Sequence, residues 1–116
     1  MSQEAPDLMT DPNTNDFLSV ETAADGAIVV SGEVDIAGGP ILEAALLQRG
    51  RDQRLVIDLG GVSFMDSSGL RNLLAASRRA KQRGSDLVLR NVGPVVWRLL
   101  EITRTVNHFA VESRLS

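Results

Sequence analysis

The sequence predicts an α/β domain: a small mixed β-sheet with helices packed on it, in the order β-β-α-β-α-β-α-β. Three observations predict it. Two extended runs flank an Asp-Gly turn near the start, so they pair antiparallel. A short β-branched run, then a long amphipathic stretch, then a second apolar run give the signature of a right-handed parallel crossover. The chain is 116 residues long, 43% apolar and 23% charged, which fits one compact domain. A domain of this size buries roughly two-thirds of the surface that its unfolded chain exposes, so it needs no disulfide or metal staple.

Residues 1–15 (MSQEAPDLMTDPNTN) are polar, carry two prolines and show no apolar periodicity. They are expected to form a flexible acidic leader, with the folded domain over 16–116. Phe17–Ala23 and Ala27–Val34 read as the hairpin strands, with Ala24, Asp25 and Gly26 between them. Gly38-Gly39-Pro40 ends extended structure, and Pro40 suits the first turn of a helix over Ile41–Gln48. That helix is apolar nearly all round, which predicts tight packing on the sheet. Arg54–Leu59 reads as a strand covered on both faces, broken by Gly60-Gly61, with Val62–Met65 as an apolar connector. The next helix is expected over Ser68–Arg83, where positions 70, 73, 74, 77 and 80 form one stripe at the 3.6-residue period and Gly84 supplies the C′ residue. Asp86–Arg90 is a further strand, Pro94–Thr103 a helix with proline at its start, and His108–Val111 a last short strand.

Composition removes whole classes of function. The absence of cysteine excludes disulfide scaffolds, cysteine-ligated zinc, iron–sulfur clusters and thiol catalysis. The one histidine, His108, leaves little for a metal site or a histidine-based catalytic pair, so no metal or other cofactor is expected. The formal charge is −3, of which residues 1–16 carry −4 and the remaining hundred +1. Nucleic-acid binders are usually basic, so no nucleic-acid partner is expected. No run of eighteen apolar residues occurs, and the start lacks a basic segment followed by an apolar one. A cytoplasmic protein without a membrane partner is the expectation. G-x-S-x-G, G-x-x-x-x-G-K-[ST] and H-E-x-x-H are all missing, which argues against an enzyme.

The most informative stretch is Phe64-Met65-Asp66-Ser67-Ser68-Gly69-Leu70, where a buried strand gives way to the long helix. Asp and Ser oxygens accept from the orphan N–H groups of a first turn, so a plain helix cap explains Asp-Ser-Ser in local terms. Two details go beyond a cap. Gly69 costs up to about 1 kcal/mol relative to alanine inside a helix, which suggests a close approach by another backbone. Two hydroxyls stand where one cap suffices, leaving one to point outward. A serine at a helix N-terminus is a good phosphorylation acceptor, because the added charge meets the positive end of the helix dipole and free amides.

Leu55–Leu74 (LVIDLGGVSFMDSSGLRNLL), preceded by Val30-Ser-Gly-Glu-Val-Asp35, resembles the STAS domain of bacterial anti-sigma factor antagonists. The likeness covers residues 17–112. Its two motifs, Gly-Glu-aliphatic-Asp and Met-Asp-Ser-Ser-Gly-Leu, are weak singly and specific together. The resemblance implies a protein whose unphosphorylated form binds an anti-sigma factor that is also a serine/threonine kinase, thereby freeing the sigma factor. It further implies that phosphorylation breaks that complex and a serine phosphatase restores it. The family's acceptor position falls on Ser67, and Asp35 matches the aspartate that contacts the kinase. Asp66, Ser68 and Gly69 match the rest of the site, with Glu33, Leu70 and Arg71 expected in the partner surface. Asp58 matches a commonly polar position without an assigned role. Glu33, Asp35 and Asp66 would then make one acidic corner around Ser67, while Arg71, Arg78, Arg79, Lys81 and Arg83 run away from it.

Two rival readings remain: a STAS scaffold or subunit of a transport, lipid-trafficking or stress-signalling complex, and a hydrolase with Ser67 as nucleophile. Three departures from the family pattern stand out: the short first helix opening Gly38-Gly39-Pro40, Arg104 where glycine is common, and Trp97. A left-handed residue at 104 would cost arginine roughly 1–2 kcal/mol, so a different turn is expected there. Trp97 falls off the Val96–Leu99–Leu100–Thr103 face, either half-buried on its own helix or as added contact surface. His108 is expected to be an ordinary strand residue.

Overall fold

The computed structural model describes residues 17–49 and 54–115. The expected leader over 1–15 lies outside the described residues. Five strands stand side by side in chain order: β1 (Leu18–Thr22), β2 (Ile28–Val34), β3 (Leu55–Met65), β4 (Leu87–Arg90) and β5 (Ala110–Val111). β1 and β2 pair antiparallel and every later pair is parallel. Three helices form the crossovers: α1 (Gly39–Arg49), α2 (Ser67–Gln82) and α3 (Pro94–Thr103). The element order is the one the sequence predicts.

The β1–β2 turn closes as Asp-Gly requires. Ala23 N donates to Ala27 O at 2.8 Å, and Gly26 takes the left-handed φ of +90° that the loop needs. Alternate strand residues, among them Ile28, Val30, Leu55, Ile57, Leu59, Leu87 and Leu89, join Leu42 and Leu46 of α1, Leu70 and Leu73 of α2, and Val96 and Leu100 of α3 in a single core. One face of the sheet therefore carries all three helices. The stripe on α2 is buried at Leu70, Leu73, Ser77 and Ala80 and half-buried at Leu74, and Gly84 (φ +76°) ends the helix in a Schellman motif, with Ser85 N donating to Ala80 O and Gly84 N to Lys81 O.

Four local expectations are corrected. Gly60-Gly61 does not break β3, which runs eleven residues to Met65. A Cβ on Gly61 would lie 2.5 Å from Ser31 Oγ, so glycine there lets β2 run alongside through two register shifts. Second, α1 buries one side only, through Leu42 and Leu46, and leaves Leu47 half exposed. At its Gly-Gly start, Gly38 has a packing reason, since a Cβ there would lie 2.6 Å from Leu18 Cδ2. Third, Arg104 does adopt the left-handed conformation (φ 59°, ψ 41°). Two bonds that close the end of α3, Arg104 N to Glu101 O and Thr105 N to Leu100 O, offset its cost. Fourth, His108 ends a 3₁₀ turn (Val106–His108) ahead of the two-residue β5. Trp97 is half-buried, and the Arg114 guanidinium lies 3.8 Å from its ring centroid. Among the described residues, no helix is long and apolar enough to cross a membrane.

Candidate functional site

The ends of β2 and β3 meet where α2 begins. Val34 pairs with Met65 in register, and the next amide, Asp66 N, donates to Val34 O at 3.1 Å. That bond fixes Asp66 in extended conformation (φ −106°, ψ −172°) as the N-cap of α2. Its Oδ1 accepts from Ser68 N at 2.9 Å, Gly69 N at 3.3 Å and the Ser68 hydroxyl at 2.6 Å. These donors hold the Asp66 carboxyl below its ordinary pKa of 3.8, the Ser68 hydroxyl most strongly, against an opposing effect of burial. The cap is thus an anion at the positive end of a sixteen-residue helix.

This geometry separates the two serines. Ser68 is half-buried and its hydroxyl is committed to Asp66. Ser67, the first residue of α2, is exposed, and its hydroxyl has no hydrogen-bond partner among the described residues. Gly69 has the close neighbour its use suggests: a Cβ there would lie 2.6 Å from Val34 Cγ1 and 3.1 Å from Val34 O.

The strand ends also gather the acidic residues. Glu33 is exposed and stands opposite Phe64 in register. Asp35 Oδ1 accepts from Ala37 N at 3.0 Å and Gly38 N at 3.1 Å, turning the chain into α1. Glu33, Asp35, Asp66 and Ser67 therefore sit at one end of the sheet. Arg71 is exposed on the first turns of α2. Leu70, expected in the partner surface, is instead in the core, 4% exposed, because its position in the helical stripe points it at the sheet. Gly69 is buried as well.

Sequence reasoning passed over three exposed apolar side chains at this end, Phe17, Ile36 and Phe64. For Phe17 and Phe64 the signal was available in strand alternation, since Leu18 and Met65 beside them are core residues; Ile36 lies beyond β2, where alternation gives no such signal. Asp58 accepts from Gly60 N and Asn91 Nδ2, which ties β3 to the end of β4. His108 lies with Leu74, Ser77, Arg78 and Lys81 around a surface cleft of about 310 Å³. Ser77, which hydrogen-bonds the His108 carbonyl, is ten residues along α2 from Ser67, about 15 Å of helix. Ser67 thus has no histidine to activate it as a nucleophile. Among the described residues, no group of three or more His, Cys, Asp or Glu could hold a metal ion.

Residues 18–107 match the family model described as "Mlab, STAS domain". The chain belongs to the STAS-domain family. Within it, the anti-sigma-B factor antagonist of Listeria monocytogenes is 40% identical over 78 residues, 66% of this chain and 68% of that protein. The antagonist of the same name from Bacillus subtilis is 34% identical over 77 residues, covering 64% and 69%. Among solved structures, an anti-sigma factor antagonist from Mycobacterium paratuberculosis matches with a TM-score of 0.69 at 30% identity, over 81% of this chain and 82% of that one. This STAS domain is therefore a member of the anti-sigma factor antagonists.

Proposed function

We propose that this STAS domain is a cytoplasmic, non-catalytic switch acted on by three kinds of partner. Unphosphorylated, it binds an anti-sigma factor with serine/threonine kinase activity and so releases the sigma factor. The kinase transfers the γ-phosphoryl group of ATP to Ser67 Oγ, the bond to the β,γ-bridging oxygen breaking to release ADP and the hydroxyl proton leaving to the kinase's base, and binding is lost. A serine phosphatase hydrolyses the phosphoester and restores the binding form. Glu33, Asp35, Asp66, Ser67, Ser68 and Arg71 form the partner surface, with Gly69 and Leu70 seating it on the core.

One observation carries the assignment of the acceptor. Of two adjacent hydroxyls, Ser68's is held at 2.6 Å by Asp66, while Ser67's is exposed and unpaired among the described residues. A phosphoryl group there adds about −1.5 to −2 charge to an end that already carries Glu33, Asp35 and Asp66. A partner that meets this end with cations in register loses complementarity.

The test is incubation with each serine-kinase anti-sigma factor of the same genome and ATP, followed by intact mass and site mapping. One phosphoryl group on Ser67 is expected, none on Ser67→Ala, and partner binding by Ser67→Ala is retained. Phosphate mapped to Ser68, or continued incorporation in Ser67→Ala, means that the acceptor is misassigned. No mass increase with any kinase favours the scaffold reading.

A further inference from the structure

The end of the sheet that carries Ser67 is apolar as well as acidic. Phe17, Ile36 and Phe64 are 62%, 79% and 46% exposed, three of the large apolar side chains left in solvent among the described residues. Phe17 O accepts from Glu33 N at 2.8 Å, and Glu33 pairs with Phe64. Phe17, just ahead of β1, and Phe64 of β3 therefore flank Glu33 of β2 in one row. Ile36 follows Asp35 in the turn into α1, two residues beyond Val34, whose carbonyl holds Asp66. These three side chains lie outside the core, to which Leu18, Val34 and Met65, close to them in sequence, are buried contributors.

We infer that Phe64 and Ile36 are the apolar anchors of the anti-sigma factor interface, with Phe17 at its edge; this rests on the function proposed above. The occupant is a protein surface of defined chemistry: an apolar pocket for Phe64 and Ile36 ringed by arginine or lysine. The acidic neighbours dictate the ring. Burying Phe64 takes Glu33 toward the interface, and burying Ile36 takes Asp35, so each carboxylate needs a cation opposite it. Exposed aromatics gathered in one patch are the usual anchors of such contacts, and a few of them carry most of the affinity. The anchors also explain how one phosphoryl group can release a whole partner. Ser67 begins α2 three residues after Phe64, at the same end of the sheet, so a phosphate that repels the cationic ring acts on the partner surface that seats the anchors.

The experiment titrates the unphosphorylated full chain into each serine-kinase anti-sigma factor of the same genome by calorimetry. Phe64→Ala and Ile36→Ala are each expected to weaken the complex at least about tenfold. Phe64→Leu should recover part of the loss. Ile102→Ala, on the outside of α3 and 67% exposed, should leave affinity unchanged. Circular dichroism checks that each variant is folded. Tight binding by wild type together with equally tight binding by Phe64→Ala and Ile36→Ala overturns the anchors and leaves the proposed function standing. Wild-type binding to none of the factors overturns the proposed function and the anchors with it. Sedimentation of the same variants covers the remaining occupant: a wild-type dimer dispersed by Phe64→Ala, with partner affinity unchanged, assigns the patch to a second copy of this chain and overturns the proposal.

Discussion

Replacing Gly69 by alanine tests whether the site is held by close packing of α2 on β2. A Cβ at 69 would lie 2.6 Å from Val34 Cγ1, 3.0 Å from Met65 Cγ and 3.1 Å from Val34 O. Met65 is unbranched and can yield, but Val34 is fully buried and β-branched, so its χ1 is restricted and it yields less readily. Its carbonyl is also fixed, because it accepts from Asp66 N. Relief therefore requires the first turn of α2 to lift by several tenths of an ångström. Overpacking of this kind costs typically 1–3 kcal/mol, against a gain of at most about 1 kcal/mol in helix propensity. The expected net is a loss of about 1–2 kcal/mol, a fall in Tm of roughly 5–15 °C for a domain near one hundred residues. Urea unfolding followed by circular dichroism reads it directly. Val34→Ala removes Cγ1, so the double variant should lose about 1 kcal/mol less than the sum of the two single losses. A Gly69→Ala midpoint at or above wild type, or strict additivity in the double variant, would refute the close-packing argument.

Two further outcomes follow from single contacts. The Asp66 carboxyl is depressed in the folded state, chiefly by the Ser68 hydroxyl, so near pH 4 the unfolded chain binds more protons than the folded one. Its contribution is fully present above the ordinary value of 3.8 and is lost as pH falls through the lower folded value. Asp66→Asn should therefore flatten the acid limb of urea midpoint against pH below about 4, and an unchanged limb would show that another group drives it. Trp97 is the chain's one tryptophan, so the emission comes from that ring alone and responds to loss of the Arg114 guanidinium stacked on it. Arg114→Ala should shift that emission and cost about 0.5–1 kcal/mol; no change in either would mean that the stacked arrangement is not populated.

What was legible in the sequence is what local chemistry encodes. Asp25-Gly26 demands a positive φ, the stripe along α2 demands a buried face, and Asp66-Ser67-Ser68 demands a helix start. What escaped depends on the neighbour across the sheet. Gly60-Gly61 looks like a break because glycines usually weaken strands, whereas here Gly61 admits Ser31 of β2. Nothing near Arg104 announces that two capping bonds will hold it left-handed. The same holds for the site. By local chemistry alone Ser67 and Ser68 are equivalent hydroxyls, which the motif orders by resemblance; in the structure the 2.6 Å bond to Asp66 and the greater burial of Ser68 distinguish them. Leu70 belongs to the motif but to the core as well, since its place in the stripe and its place in the motif coincide.

The cap chemistry also decides how a phosphate on Ser67 would act. Read from sequence, the first turn of α2 offers free amides to receive the new charge. In the structure, Asp66 Oδ1 already takes the amides of Ser68 and Gly69 together with the Ser68 hydroxyl. A phosphate competing for those amides displaces another anion from the same helix end, exchanging one cap worth about 1 kcal/mol for a similar one. A phosphate that stays outward leaves the cap untouched. By either route the fold loses little, and the net change falls on the surface, where about two negative charges join Glu33 and Asp35. A modification that is nearly neutral to folding and large at the surface is what a binding switch requires. The division of labour between Ser68, spent on the cap, and Ser67, left to the surface, is what makes that possible.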